Sequence, residues 1–171
     1  MHLQRLALRR AGVVLMVIFS LAVVAVAVHR GLREKPAAPG KPLPVLSLVE
    51  LDGAPASLRP QAGVALYNVF ATWCTPCAME MPTLAAAAPR LRAHGIALIG
   101  IDQGDPPAAV RAFITRYDLS YPILIDDEKT TNALLGARII PETVLVRNGI
   151  VAQTYVGPLT PQALDRMVGV R

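Results

Sequence analysis

VALYNVFATWCTPCAMEMPTL, residues 64–84, is the stretch on which the reading of this chain turns. Val64 to Phe70 form a short, mostly apolar run, the pattern of a strand buried on both faces. From Cys77 onward Ala, Met, Leu and Glu dominate, and these favour helix. The spacing predicts a helix over residues 77–91, with Pro82 expected to kink it. Between strand and helix stands Trp73-Cys74-Thr75-Pro76-Cys77. These are the only 2 cysteines in 171 residues. Closing so small a loop gains little entropy, so a structural staple explains the pair poorly. Redox chemistry explains it better. Unpaired N–H groups and the macrodipole at a helix N-terminus stabilise a thiolate, the reactive form of cysteine. Cys74, just before the helix, is expected to be the exposed attacking sulfur. Cys77, one turn in and shielded, is expected to resolve the mixed disulfide.

Outward from this stretch, strand and helix patterns alternate. Residues 45–51 and 56–58 read as a hairpin about Asp52-Gly53. Arg90, Arg92 and His94 followed by Gly95 read as a helix C-terminus, and residues 96–101 as a second buried strand. Asp105-Pro106 predicts an N-cap and first helical residue for a helix reaching Tyr117. A strand over 121–125 and a short helix over 128–135, ended by Gly136, come next. Strands over 143–146 and 150–156 flank the turn signal Asn148-Gly149, and Thr160-Pro161 opens a last helix. This order specifies an α/β fold, a sheet that helices can cover on both faces.

Residues 11–28 carry no charge and, as a helix, would span about 27 Å, close to a hydrocarbon core of about 30 Å. Arg5, Arg9 and Arg10 precede them, which places residues 1–10 in the cytoplasm and everything after His29 outside. The expectation is a retained signal-anchor. A cleaved signal peptide, with Ala25-Val26-Ala27 near its cleavage site, is the alternative. Residues 29–44 hold Pro36, Pro39, Pro42 and Pro44 and read as a semi-rigid tether, leaving 45–171 as the folded domain. The net charge of +5 lies wholly in residues 1–40, which hold six Lys/Arg and one acid, whereas 41–171 carry eleven of each sign. The basic excess is a topology signal, and the folded domain has no footprint for nucleic acid.

YNVFATWCTPCAMEMPTL resembles the active-site region of thioredoxin-like proteins, and in particular the exported, membrane-anchored branch that includes DsbE/CcmG, ResA and TlpA. The likeness runs from about Pro44 to the C-terminus. It implies a thioredoxin-like fold: a central mixed sheet flanked by helices, with an N-terminal hairpin and a βα insertion between Ile96 and Asp126. It also implies a protein-disulfide reductase at the bacterial inner membrane, with its catalytic domain on the periplasmic side. Its substrate would be the disulfide of apocytochrome c or of a thiol partner, re-reduced by a transmembrane thiol donor of the DsbD/CcdA type, with no cofactor and no metal. By the same resemblance Pro141 is the cis-proline facing the cysteines, and Ile140 offers its backbone to a substrate strand. Pro141-Glu142-Thr143 and Gly157-Pro158-Leu159 match motifs of DsbE/CcmG-like members.

Glu80, three residues past Cys77 and on the same helix face, is a candidate proton acceptor for a thiol; the bland alternative is a solvated helix glutamate. Asn68 stands where thioredoxin has a titrating aspartate, which moves proton handling toward Glu80. Trp73 and Pro76 are candidates for the substrate groove, Pro76 also stiffening the turn, and Glu142 joins them or is a strand-edge charge. His94 reads as a helix-end cation and Asp126-Asp127-Glu128 as an acidic helix start. Met79 and Met81 suit either core or groove. Ile139 replaces a family glycine, and Thr-Pro between the cysteines replaces the commoner Pro-Thr. Competing functions are a TlpA-like reductase for copper-site assembly proteins, a Cu(I)-binding module and a general exported oxidase.

Overall fold

The computed structural model describes residues 39–59, 62–127, 131 and 139–169, together with Met16 and Ser20. The apolar run over 11–28, apart from those two positions, and the helix expected over 128–135, apart from Thr131, lie outside the described residues. Among the described residues no helix is long and apolar enough to cross a membrane. The chain divides at Lys35–Pro36, and every strand and helix below belongs to the second unit.

The elements are β1 (Leu46–Val49), β2 (Pro55–Leu58), β3 (Val64–Phe70), α1 (Thr75–Ala93), β4 (Ile96–Asp102), α2 (Pro107–Tyr117), β5 (Ile123–Ile125), β6 (Glu142–Arg147), β7 (Ile150–Val156) and α3 (Pro161–Val168). The strands form one sheet in the order β2-β1-β5-β4-β3-β6-β7. β3 is central, parallel to β4 and antiparallel to β6, which explains why its sequence is apolar on both faces. On one face lie Leu66, Phe70, Leu98, Ile123 and Leu145, covered by the buried side chains of all three helices. On the other lie Tyr67, Val69, Ile101, Val144 and Val146, with Leu43, Leu46, Leu48 and Leu58 from the N-terminal strands. The expected cover of both faces by helices is therefore not seen among the described residues. Phe70 stacks on Phe113 at 5.4 Å between ring centroids, fixing α2 to the sheet; truncating either ring to alanine should cost about 3–5 kcal/mol. Gly100 in β4 leaves room for this packing, since a Cβ there would fall 2.4 Å from the side chain of Ile123.

Local signals explain most boundaries. The Asn148-Gly149 turn has both residues at positive φ, as a two-residue hairpin loop requires. Thr160 caps α3, its hydroxyl accepting the Ala163 N–H at 3.2 Å. α1 begins at Thr75, two residues before the expected start, and continues unbroken through Pro82 and Pro89 to its His94 cap. Two expectations fail. Asp105 does not cap α2: Pro106 occupies the cap position with extended backbone (φ −56°, ψ 135°) and no side-chain capping bond. The cause is Pro107, which disfavours helical backbone in the residue before it and so delays the helix by one residue. Nor does the tether reach residue 44. Gly40 N–H donates to Val151 O, Val151 N–H to Lys41 O and Leu43 N–H to Gly149 O, each at 2.8–2.9 Å. Leu43 is buried. An apolar anchor and an open strand edge together draw residues 40–43 into the domain.

Candidate active site

Cys74 and Cys77 are joined in a disulfide. The β3–α1 junction places them: the strand ends at Phe70, a tight turn follows, and Cys74 occupies the N-cap of α1 with extended backbone. The Cys74 sulfur accepts the Cys77 N–H at 3.2 Å, so the sulfur itself caps the helix. The same N–H would stabilise a Cys74 thiolate once the disulfide is reduced. Cys77 is fully buried, as expected. Cys74 is not the exposed sulfur the sequence suggested, having only 5% of its surface accessible. Ile140 packs close to it, with its carbonyl oxygen 3.9 Å from the Cys74 sulfur.

That contact brings the two motifs together. The Ile140–Pro141 peptide is cis, and Pro141 O accepts the Gly157 N–H at 2.8 Å. Ile140 is half-buried and Pro141 buried, whereas Trp73 (72% exposed), Ile139 and Met79 form an apolar rim about the disulfide. Pro76 lies exposed in the first turn of α1. Met81 points into the core, so the two methionines diverge.

Glu80 is no solvated helix glutamate: it is 1% exposed. Its Oε1 accepts from the Asn68 amide at 2.7 Å and its Oε2 from the Leu159 N–H at 2.6 Å. Asn68 also donates to Thr143 Oγ1 at 3.1 Å, directly across the β3–β6 pair. Burial raises the Glu80 carboxyl, the two donors offset part of that rise, and the carboxyl stands at about 7. Glu80 thus combines a fixed position on the Cys77 face of α1 with a proton affinity matched to neutral pH. Leu159 belongs to the Gly157-Pro158-Leu159 motif, which sequence reading singled out without a role; its backbone holds the glutamate.

Glu142 is neither a strand-edge charge nor an exposed groove residue. It is 1% exposed, on the opposite face of the sheet from Thr143, and its Oε1 has no hydrogen-bond partner. Burial raises its carboxyl to about 7. His94 ends α1 with its ring nitrogen 2.9 Å from Arg90 O, as a helix-end residue should. Asp126 Oδ2 accepts the Thr131 N–H at 2.7 Å. Among the described residues no three His, Cys, Asp or Glu side chains are grouped to hold a metal ion.

Sequence reading missed two features. Asp102, buried at the end of β4, has its carboxyl raised to about 7, first by burial. Its Oδ1 accepts the Asp105 N–H at 2.7 Å, while Asp105 Oδ2 accepts from Thr72 N and Oγ1 at 2.6 and 2.7 Å. This chain ends two residues before Cys74. The second feature is an open cleft of about 390 Å³ beside the disulfide, walled by Trp73, Met79, Phe113, Arg116 and Tyr117. The α2 residues are remote in sequence, and packing across the core, Phe113 on Phe70 included, brings them here.

A strand–turn–helix disulfide beside a cis-proline, on a sheet of this order, defines a thioredoxin-like enzyme of dithiol–disulfide exchange: a thiol–disulfide oxidoreductase acting as a protein-disulfide reductase. The AhpC/TSA family matches residues 39–154. The chain is 30% identical over 128 residues, 74% of each sequence, to the thiol-disulfide oxidoreductase ResA of Bacillus thuringiensis subsp. konkukian (strain 97-27). Among solved structures, a thiol:disulfide interchange protein of the thioredoxin family from Chlorobium tepidum TLS is similar at 27% identity with a TM-score of 0.64, covering 77% of this chain and 96% of that one. Another from Chlorobium tepidum, described as DsbE, shares the fold with a TM-score of 0.69 at 21% identity, covering 77% and 95%. The chain belongs to the AhpC/TSA family and, within it, to the thiol–disulfide oxidoreductases of the ResA and DsbE/CcmG type.

Proposed function

We propose that this enzyme is anchored in the bacterial cytoplasmic membrane by residues 11–28, with its domain on the outer side, and that it reduces the disulfide of apocytochrome c or of the thiol protein that delivers to it. Haem attachment needs free thiols, which gives the reaction its purpose. The observation that carries the reductive role is Glu80, buried on the Cys77 face of α1 with a carboxyl near 7. In the dithiol form the Cys74 thiolate attacks one substrate sulfur, the substrate S–S bond breaks, and the leaving thiolate takes up a proton. Cys77 then loses its proton to Glu80 and attacks the Cys74 sulfur. The mixed disulfide breaks, the second substrate sulfur leaves as a thiolate and takes up a proton, and the substrate departs as a dithiol with two electrons passed to it. The enzyme is left in the disulfide form described above, and a transmembrane thiol donor of the DsbD/CcdA type restores it. Ile140 offers its carbonyl to the substrate strand, and Trp73 and Pro76 border it. Buried Glu142 fits a supporting place behind Pro141 better than direct contact.

The test is the reduction potential of the Cys74–Cys77 couple in the full chain in detergent, equilibrated against glutathione or dithiothreitol buffers. A value at or below roughly −220 mV supports the reductase; one near about −120 mV overturns it in favour of an oxidase. With Cys77→Ser, a disulfide-closed CxxCH peptide should accumulate as a mixed disulfide on Cys74. Failure to trap it would remove apocytochrome c as the target.

A further inference from the structure

We propose that the cleft between α1 and α2, which Ile140 does not line, is a second recognition subsite, and that Arg116 makes it select a protein partner carrying an acidic side chain close to its own cysteines. The inference rests on the reductase reading above and names a feature of its substrate.

Among the described residues Arg90 pairs with Asp165, Arg92 donates to Ser120 O, Arg111 to Leu51 O, Arg147 to Val168 O and Arg59 to Ser57 Oγ. Arg116 donates to no protein acceptor. Its guanidinium lies 5.4 Å from the centroid of the Tyr117 ring. A guanidinium held over an aromatic face keeps the edge donors of its planar fork free, the geometry that suits a carboxylate. Arg166, the other described arginine without an acceptor, is far along the chain on α3 and does not line the cleft.

The walls complete the site. Trp73 and Met79 are exposed large apolar groups that line the cleft together with Cys74 and Arg116, and Phe113 adds a buried ring to its wall. Exposed apolar surface beside a reactive sulfur is a docking surface. Arg116 is the charged residue among those described that line the cleft, and the nearby carboxylate of Asp105 is engaged by the two donors of Thr72. Residues 41–171 carry no net charge, so no long-range field steers the partner, and the local sign at Arg116 decides. An apolar wall ending in a free guanidinium fits a partner segment that lays an apolar side chain against Trp73 and a carboxylate on Arg116.

The experiment uses the full chain in detergent and three disulfide-closed CxxC peptides, identical except for two flanking positions that are both glutamate, both glutamine or both lysine. At low salt the wild type should favour the glutamate peptide over the glutamine peptide by about fivefold in kcat/KM, the worth of a good exposed pair, and the ratio should fall as salt rises. Arg116→Gln should bring that ratio to about one; Arg116→Lys should keep part of it; Arg166→Gln, a charge-matched control, should leave it intact. Equal ratios in wild type and Arg116→Gln overturn the subsite. A wild type that reduces none of the peptides sinks the reductase reading instead. In that case the exchange is run in reverse, from the dithiol peptides to the disulfide form of the enzyme, where the same preference for glutamate must appear or the subsite is refuted.

Discussion

The two faces of the sheet each bury one glutamate beside the Ile140–Pro141 peptide, and they treat it differently. Over the helix-covered face Glu80 is gripped by two donors, Asn68 and Leu159. On the other face Glu142 Oε1 meets no donor at all. Burial raises both carboxyls to about 7, so proton affinity alone does not tell them apart. Position does. A proton acceptor must stand still where the thiol delivers its proton, and two hydrogen bonds spanning 12 and 79 residues of sequence hold Glu80 there. Glu142 takes up a proton to escape an unfavourable burial and has no comparable anchorage. On the mechanism proposed, the same shift serves a proton acceptor on one face and is a cost of burial on the other.

The comparison is broken most directly by kinetics. Glu80→Gln should slow release of the mixed disulfide by about 100-fold at pH 7 and remove the inflection near pH 7 from its pH profile. Glu142→Gln should change the rate by less than about threefold. Equal effects in stopped-flow single turnovers would abolish the distinction. Stability sharpens it next. Each carboxyl is raised above the ordinary value of 4.5, so the folded chain binds the proton more tightly than the unfolded chain. The resulting stability is complete below about pH 4.5 and is lost as pH rises through 7. In Glu142→Gln the loss of stability between pH 5 and pH 8, read from urea unfolding, should shrink by about 2 kcal/mol. An unchanged loss would mean that Glu142 is already charged in the fold. The smallest effect belongs to Asn68→Ala. The Asn68 bond lowers the Glu80 pKa, so its removal should move the kinetic inflection upward. A downward move would reverse the assigned sign of that bond.

Much of this was legible in the sequence, for reasons that are local. Val64–Phe70 is a strand over the residues that its apolar run predicted, because a central strand is apolar on both faces. Thr160-Pro161 starts α3 as its capping chemistry requires. Asp105-Pro106 carries the same signature and fails, because a second proline follows and postpones the helix. The spacing from Cys77 to Glu80 gave the shared helix face. It could not give the burial of Glu80 or the Leu159 donor, which depend on the segment between β7 and α3 meeting α1. The Arg116 cleft was hidden for the same reason, since α2 reaches the disulfide through tertiary contacts such as Phe113 on Phe70. Periodicity and caps write themselves into neighbouring residues, whereas a cleft is a property of what meets across the core.

The 2.6 Å bond from the Leu159 N–H to Glu80 also makes one amide a witness to the chemistry. An amide proton resonance moves with the charge of its acceptor. In a ¹⁵N-labelled sample the Leu159 cross-peak should therefore trace the titration of Glu80 without a probe attached to either cysteine. Followed during turnover, that peak would report the arrival of the Cys77 proton from a residue that touches neither sulfur nor substrate.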